Sequence, residues 1–255
     1  MTEGQQTARK RIAVVTGASS GIGAAIAAAL ASDGAQVALL ARRADLLDRV
    51  AAQIAEEGGE ALAIPTDITD SNELKAASEQ VRKVFGPADL LVNSAGGLLI
   101  ETAEEGDLDQ WAKLIDLNVN GVLRTTDAFL PDLLLAGASG QSADLITISS
   151  ISADVVNPLL TAYGMSKAAI SHMSANLRAE LGPKGVRVTA IEPAVVKTAL
   201  LENSSHPMYR QYMQHLFASI EMLVPEDIAR VVAFVVAQPR HVNLPNVKVY
   251  ATQQP

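Results

Sequence analysis

The 255 residues contain no cysteine, which excludes disulfides, thiolate nucleophiles and cysteine-ligated metals. Histidine is scarce. His172, His206, His215 and His241 are too scattered for the close pairing a zinc site needs, and they read as surface or pocket-rim side chains, so no metal is expected. No apolar run approaches the ~20 residues of a membrane span. The polar start, MTEGQQTARKR, lacks the apolar stretch of a signal peptide. A cytoplasmic protein is therefore the expectation. Basic charge is also short: the net charge of −8 argues against general affinity for nucleic acid or anionic membrane. Aromatic residues make up only 4% of the chain.

What the chain has instead is aliphatic: 49% of it is hydrophobic, dominated by Ala, Val, Leu and Ile. That mix suits buried parallel strands covered by close-packed helices. The length is great for one domain and small for two, and open α/β sheets reach it as a single unit. Strands are predicted over 11–16, 36–41, 60–65, 88–92, 143–149, 185–191 and 247–250. Helices are predicted over 21–33, 45–57, 70–85, 108–135, 161–181 and 225–237. Asp70 and Glu73 have the spacing of an N-cap and its reciprocal partner. Residues 1–10 read as a flexible tail, and 11–255 as one domain. The regular alternation predicts a Rossmann-type, doubly wound α/β fold with about seven parallel strands and helices on both faces. Such sheets bind ligands beyond the carboxyl ends of their strands, where strand order reverses.

The motifs fall at that edge. Gly17, Ser19, Ser20, Gly21, Ile22 and Gly23 join the first strand to the first helix. Gly17 permits a tight turn, and Gly21 and Gly23 let the backbone approach a pyrophosphate at a helix N-terminus. At the end of the second strand many NAD sites carry an acid for the ribose 2′-hydroxyl. Here Arg42 and Arg43 follow Ala41. Guanidinium attracts a 2′-phosphate that an acid would repel, so NADP(H) is favoured over NAD. Asp67, with Ile68 behind it, follows the third strand, either as an acceptor for the adenine amino group or as a turn carboxylate.

Further along stand Asn93-Ser94-Ala95-Gly96, Asn118-Val119-Asn120-Gly121, Ser150, and Tyr163-Gly164-Met165-Ser166-Lys167. With the glycine turn, this set resembles the short-chain dehydrogenase/reductase family, of the compact single-domain type, over almost the whole chain. The resemblance implies a catalytic set of Ser150, Tyr163, Lys167 and Asn118. Tyr163 would be general acid in carbonyl reduction and base in alcohol oxidation. Lys167, one helical turn on, would lower the Tyr163 pKa and hold the nicotinamide ribose. Ser150 would bind the substrate oxygen, and Asn118 would distort its helix and help hold water for a proton relay. Asn93, Ala95 and Gly96 would line the cofactor. Pro193, Ala194, Val196 and Thr198 would fix the nicotinamide carboxamide, with Ala194 standing where the family usually has glycine. A positive φ there would be strained.

The resemblance also places a substrate-covering segment at 198–220, with Leu200, Leu201, Met208, Tyr209, Tyr212, Met213, Leu216 and Phe217 as an apolar lid and Arg210 as a candidate carboxylate ligand. Gly97–Glu101 and Ile151–Leu160 would form the other walls. Ile191-Glu192-Pro193, with the tail 239–243 and 250–253, resembles the branch of NADP-dependent 3-hydroxy-acid and serine dehydrogenases. The family's usual assembly implies a homodimer or homotetramer through the helices at 108–135 and 161–181, where Ala168, Ala169, Ala175 and Ala179 allow close packing. The expected function is hydride transfer between NADP(H) and an aldehyde, ketone or secondary alcohol. The alternatives are a catalytically silent NADP-binding regulator, and a reductase of another bond, such as an imine, on the same scaffold.

Overall fold

A computed structural model describes residues 10–198, 206, 209, 211 and 220–254. Seven parallel strands form one sheet in the order β3-β2-β1-β4-β5-β6-β7. They are β1 (Ile12–Thr16), β2 (Gln36–Ala41), β3 (Glu60–Pro65), β4 (Leu90–Asn93), β5 (Ala143–Ile148), β6 (Val186–Pro193) and β7 (Asn246–Val249). The order reverses between β1 and β4. There Val14 pairs with Ala38 on one side and with Leu91 on the other, which opens a crevice above the strand ends.

Successive side chains of a strand point to opposite faces, and the two faces carry separate cores. Ala13, Val15, Val37 and Leu39 pack under α1 (Gly21–Ser32), α2 (Ala44–Glu56) and α7 (Pro225–Val236). Ile12, Val14, Ala38 and Leu40 pack under α3 (Ser71–Val84) and α5 (Gly121–Ala138), with α6 (Thr161–Leu181) adding Leu181. All the β1 residues are buried, as befits a strand covered on both sides.

Four charged residues tie down the amino ends of the strands. Arg11 meets Asp89 at 2.5 Å and Asp144 at 2.8 Å, and Arg187 meets the other oxygen of Asp144 at 2.7 Å. Arg187 also donates to the carbonyls of Val236 and Gln238 at the end of α7. Asp89 is drawn into this cluster, and β4 starts two residues later than the expected position 88.

The helix expected over 108–135 is not continuous. It divides into α4 (Leu108–Ile115), a π-turn at Asp116–Asn120, and α5. Asp70 caps α3 by accepting from the Asn72 and Glu73 amides. The reciprocal bond from Glu73 to Asp70 is replaced: the Glu73 carboxylate accepts from the Asp67 amide at 2.7 Å and fastens the turn after β3. The first nine residues and most of the segment 199–219 lie outside the described residues, and with them Leu200, Leu201, Met208, Arg210, Tyr212, Met213, Leu216 and Phe217 of the expected lid.

Candidate active site

The turn after β1 is shaped by contacts to the neighbouring strand end. Gly17 has φ of +67°, and a Cβ there would sit 2.8 Å from the Ala95 Cα. A Cβ on Gly23 would run into the Gly17 carbonyl oxygen. Both positions therefore require glycine. Thr16 closes the structure: its hydroxyl accepts from the Ser94 and Ala95 amides at 3.1 and 3.0 Å. Thr16 is a site-building residue that the sequence motif did not single out.

A cleft of about 450 Å³ opens over this turn. Of the residues expected to hold a cofactor, Gly17, Ser19, Ser20, Gly21, Ile22, Gly23, Arg42, Arg43, Asp67, Ile68, Ala95, Gly96 and Thr198 line it. Arg43, at the N-cap of α2, points a guanidinium nitrogen at the Ser19 and Ser20 hydroxyls, 3.3 Å from each. Arg42 acts on Asp67 from across the cleft. The Asp67 carboxyl lies below the usual carboxylate range, first because it accepts from the Thr69 amide, then through the Thr69 hydroxyl and the Arg42 charge. Asn93 departs from its expected place. Its side chain is buried, donates to the Thr126 hydroxyl at 3.1 Å, and lines neither this cleft nor the cavity beside it.

A second cavity of about 250 Å³ adjoins the first, and Ile22 and Thr198 border both. Ser150, Tyr163, Pro193, Ala194 and Val196 line it. Ser150 caps the short 3₁₀ turn Ile151–Ala153, its hydroxyl accepting from the Ser152 amide at 3.1 Å. Tyr163 stands in the first turn of α6. The segment after β6 is held from both sides: the Ala194 amide donates to Val249 and the Lys197 amide to Leu223, each at 2.8 Å. No residue other than glycine has positive φ among those described, so Ala194 carries none of the strain foreseen for it.

Lys167 and Asn118 lie behind this surface, meeting at Gly96. A Cβ there would be 3.3 Å from Asn118 Oδ1 and 3.7 Å from Lys167 Nζ. Asn118 is buried in the π-turn. It accepts from the Gly97 amide at 2.7 Å and donates to the Gly97 carbonyl and the Ser166 hydroxyl, both at 3.0 Å. These bonds pin the wall after β4 to α6 and account for the helix distortion at this point. Lys167 Nζ donates to the Ile148 carbonyl at 3.0 Å.

The pKa shifts differ from the sequence expectation at one point. Burial drives Lys167 down from 10.5 to about 8. Tyr163 is raised rather than lowered: burial of the phenol dominates, and the Ser150 hydroxyl opposes it. Desolvation disfavours both charged forms in this crevice.

A network missed by the sequence reading supports α6 from below. Ser171, one turn after Lys167, reaches the buried Glu192 carboxylate at 2.7 Å and the Ser149 hydroxyl at 2.8 Å. Ser149 in turn donates to the Lys167 carbonyl at 3.0 Å, and Asn246 donates to Glu192 at 2.8 Å. The signal available was the spacing Tyr163, Lys167, Ser171, which puts all three on one helix face.

A family model described as short chain dehydrogenase matches residues 11–208. An uncharacterized oxidoreductase of Staphylococcus aureus strain MRSA252 is 37% identical over 239 residues, covering 94% of this chain and 96% of the relative. Among solved structures, an alcohol dehydrogenase from the archaeon Thermococcus sibiricus complexed with 5-hydroxy-NADP superposes with a TM-score of 0.84 at 28% identity, over 96% of this chain and 98% of that one. The L-sorbose reductase of Gluconobacter frateurii, complexed with NADPH and L-sorbose, gives 0.84 at 28% identity and 95% of each chain.

Proposed function

From the premise that this chain belongs to the short-chain dehydrogenase family and is an oxidoreductase, we propose that it transfers hydride between NADP(H) and an aldehyde, ketone or secondary alcohol. The observation that carries this reading is the convergence of Ser150 and Tyr163 in one cavity that adjoins the cleft over the glycine turn.

The cleft suits a phosphorylated dinucleotide. Its floor is a backbone where Gly17 and Gly23 leave no room for side chains, and the N-terminus of α1 faces it, which favours anionic groups. Arg42, with Arg43 beside it, borders the cleft after β2 with cationic charge that would attract a 2′-phosphate, which is the reason to favour NADP(H) over NAD. When bound, the coenzyme supplies or accepts the hydride. Everything else in the reaction falls to the chain.

In the direction of reduction, Tyr163 donates its phenolic proton to the carbonyl oxygen as the carbon gains the hydride. A phenol held above its ordinary pKa keeps that proton until negative charge develops on the substrate oxygen. Ser150 donates to the same oxygen and stabilises the charge as it forms. The tyrosinate left behind is favoured by the ammonium form of Lys167. In oxidation the roles reverse and Tyr163 takes the alcohol proton. Asn118 acts on position: it ties Gly97 to Ser166, the residue that precedes Lys167. Assembly as a homodimer or homotetramer is proposed with it, supported by Leu123 and Leu135 on α5 and Met165 on α6, each about half exposed.

The test is Tyr163→Phe. It should lower kcat by about 1,000-fold or more while NADPH still binds, as followed by coenzyme fluorescence. Turnover equal to wild type would end the assignment and favour a chain that binds the coenzyme without catalysis.

A further inference from the structure

Glu192 places a carboxylate inside the molecule, at the last residue but one of β6, where it is 1% exposed. One of its oxygens, Oε1, accepts from the Ser171 hydroxyl at 2.7 Å and from the Asn246 side-chain amide at 2.8 Å. The other, Oε2, has no hydrogen-bond partner, and the Lys248 ammonium stands 3.9 Å from it. A buried, half-satisfied carboxylate lowers stability, and an apolar side chain of similar size would pack β6 against α6 as well or better. Stability alone does not account for this residue.

Its connections do. Glu192 directly precedes Pro193 and Ala194, which line the cavity holding Ser150 and Tyr163, while Glu192 itself lines neither cavity. Ser171 stands one helical turn after Lys167 and two after Tyr163. Its hydroxyl is 2.8 Å from that of Ser149, which donates to the Lys167 carbonyl. Ser149 directly precedes Ser150, and its amide donates to the Ile191 carbonyl at 2.7 Å. The end of β5, α6 and the end of β6 each carry a residue of the proposed site, and all three are joined at one carboxyl oxygen through two short hydroxyls. A slide of α6 along its axis would break that joint. Lys248 extends it outward by pairing with Asp154, four residues after Ser150. Resting on the reaction proposed above, we infer that Glu192, acting through Ser171, is a positioning residue for hydride transfer. It sets the height of Tyr163 and Lys167 against Ser150 in the reacting complex.

The experiment follows a single turnover. Enzyme in excess over NADPH is mixed rapidly with 2-hexanone or hexanal, and the decay of coenzyme fluorescence gives a rate constant and an amplitude. Glu192→Leu removes the acceptor for Ser171. Ser171→Ala breaks the same link with a smaller change and decides the matter if the Leu variant does not fold. Both should lower the rate constant by about 10-fold at full amplitude, because the reacting groups are misplaced in every molecule. Glu192→Gln keeps Oε1 and should restore the rate constant to within about threefold of wild type. A rate constant equal to wild type in the Leu and Ala variants would overturn the inference. So would a reduced amplitude at an unchanged rate constant, which marks fewer folded molecules and nothing more, or a Gln variant as slow as the Leu variant. If Tyr163→Phe is inactive while Ser171→Ala is unimpaired, the role of Glu192 falls and hydride transfer stands. NADPH left unoxidised by wild type with both acceptors would overturn the reaction, and this role with it.

Discussion

Lys167 Nζ lies 5.6 Å from the centre of the Tyr163 ring and donates to the Ile148 carbonyl at 3.0 Å, so one buried amine faces both the phenol and the end of β5. The position is costly for a charge. It brings the amine close to Tyr163 at the expense of its hydration, and the depressed pKa of about 8 records that expense.

That shift has a signature in stability. Below pH 8 both the folded and the unfolded chain carry the Lys167 charge, and the folded state bears the full desolvation cost. Between about 8 and 10.5 the unfolded chain keeps a proton that the folded chain has lost, so stability rises with pH. Urea unfolding of wild type and Lys167→Met across this range should show wild type gaining on the variant by on the order of 2 kcal/mol between pH 7 and 10. Parallel stability curves would place the Lys167 pKa near its ordinary value.

Coenzyme choice should rest on Arg42. It borders the cleft and acts on Asp67, whereas Arg43 is already directed at Ser19 and Ser20. Arg42→Asp replaces attraction for a 2′-phosphate by repulsion. The NADP to NAD ratio of kcat/KM should fall by about 10-fold or more, mostly through the KM for NADP. An unchanged ratio would move the reading of the 2′-phosphate to another residue.

Arg187 serves the fold alone. It sits at the amino ends of the strands, with Asp144 at 2.7 Å and the carbonyls that end α7 around it. Arg187→Met leaves Asp144 buried with only Arg11 opposite, and should cost about 3–5 kcal/mol of stability. The folded fraction should bind NADPH as wild type does, because the glycine turn is at the other end of the sheet. Chemical denaturation and coenzyme titration together check both halves of this prediction.

The elements legible in the sequence were those fixed by local chemistry. Alternating strands and helices, the Gly17–Gly23 turn and the Pro225 start of α7 all follow from short-range pattern, and apart from the end of α5 at Ala138 the outer edges fall within one or two residues of the expected ones. The departures come from contacts between distant segments. The helix over 108–135 is distorted at Asn118, as the resemblance implied, but its division at Asp116–Asn120 was not legible from pattern, because Asn118 bonds to Gly97 and Ser166, 21 and 48 residues away. Glu73 leaves Asp70 for the Asp67 amide because the turn after β3 lies within its reach. The Tyr163 pKa was read from its neighbour Lys167, a local fact, and is governed by burial, a tertiary one. The Glu192–Ser171–Ser149 network joins β6, α6 and the end of β5, so no sequence window contains it.

The measurement that bears most directly on the central claim uses NADPH carrying deuterium in place of both hydrogens at nicotinamide C4, with hexanal or 2-hexanone as acceptor. Mass spectrometry of the alcohol should find one deuterium on the former carbonyl carbon, in step with the coenzyme oxidised, and Tyr163→Phe should form this product at a small fraction of the rate. Coenzyme oxidation that leaves the alcohol unlabelled, or labelling that proceeds equally well without the phenol, would contradict it.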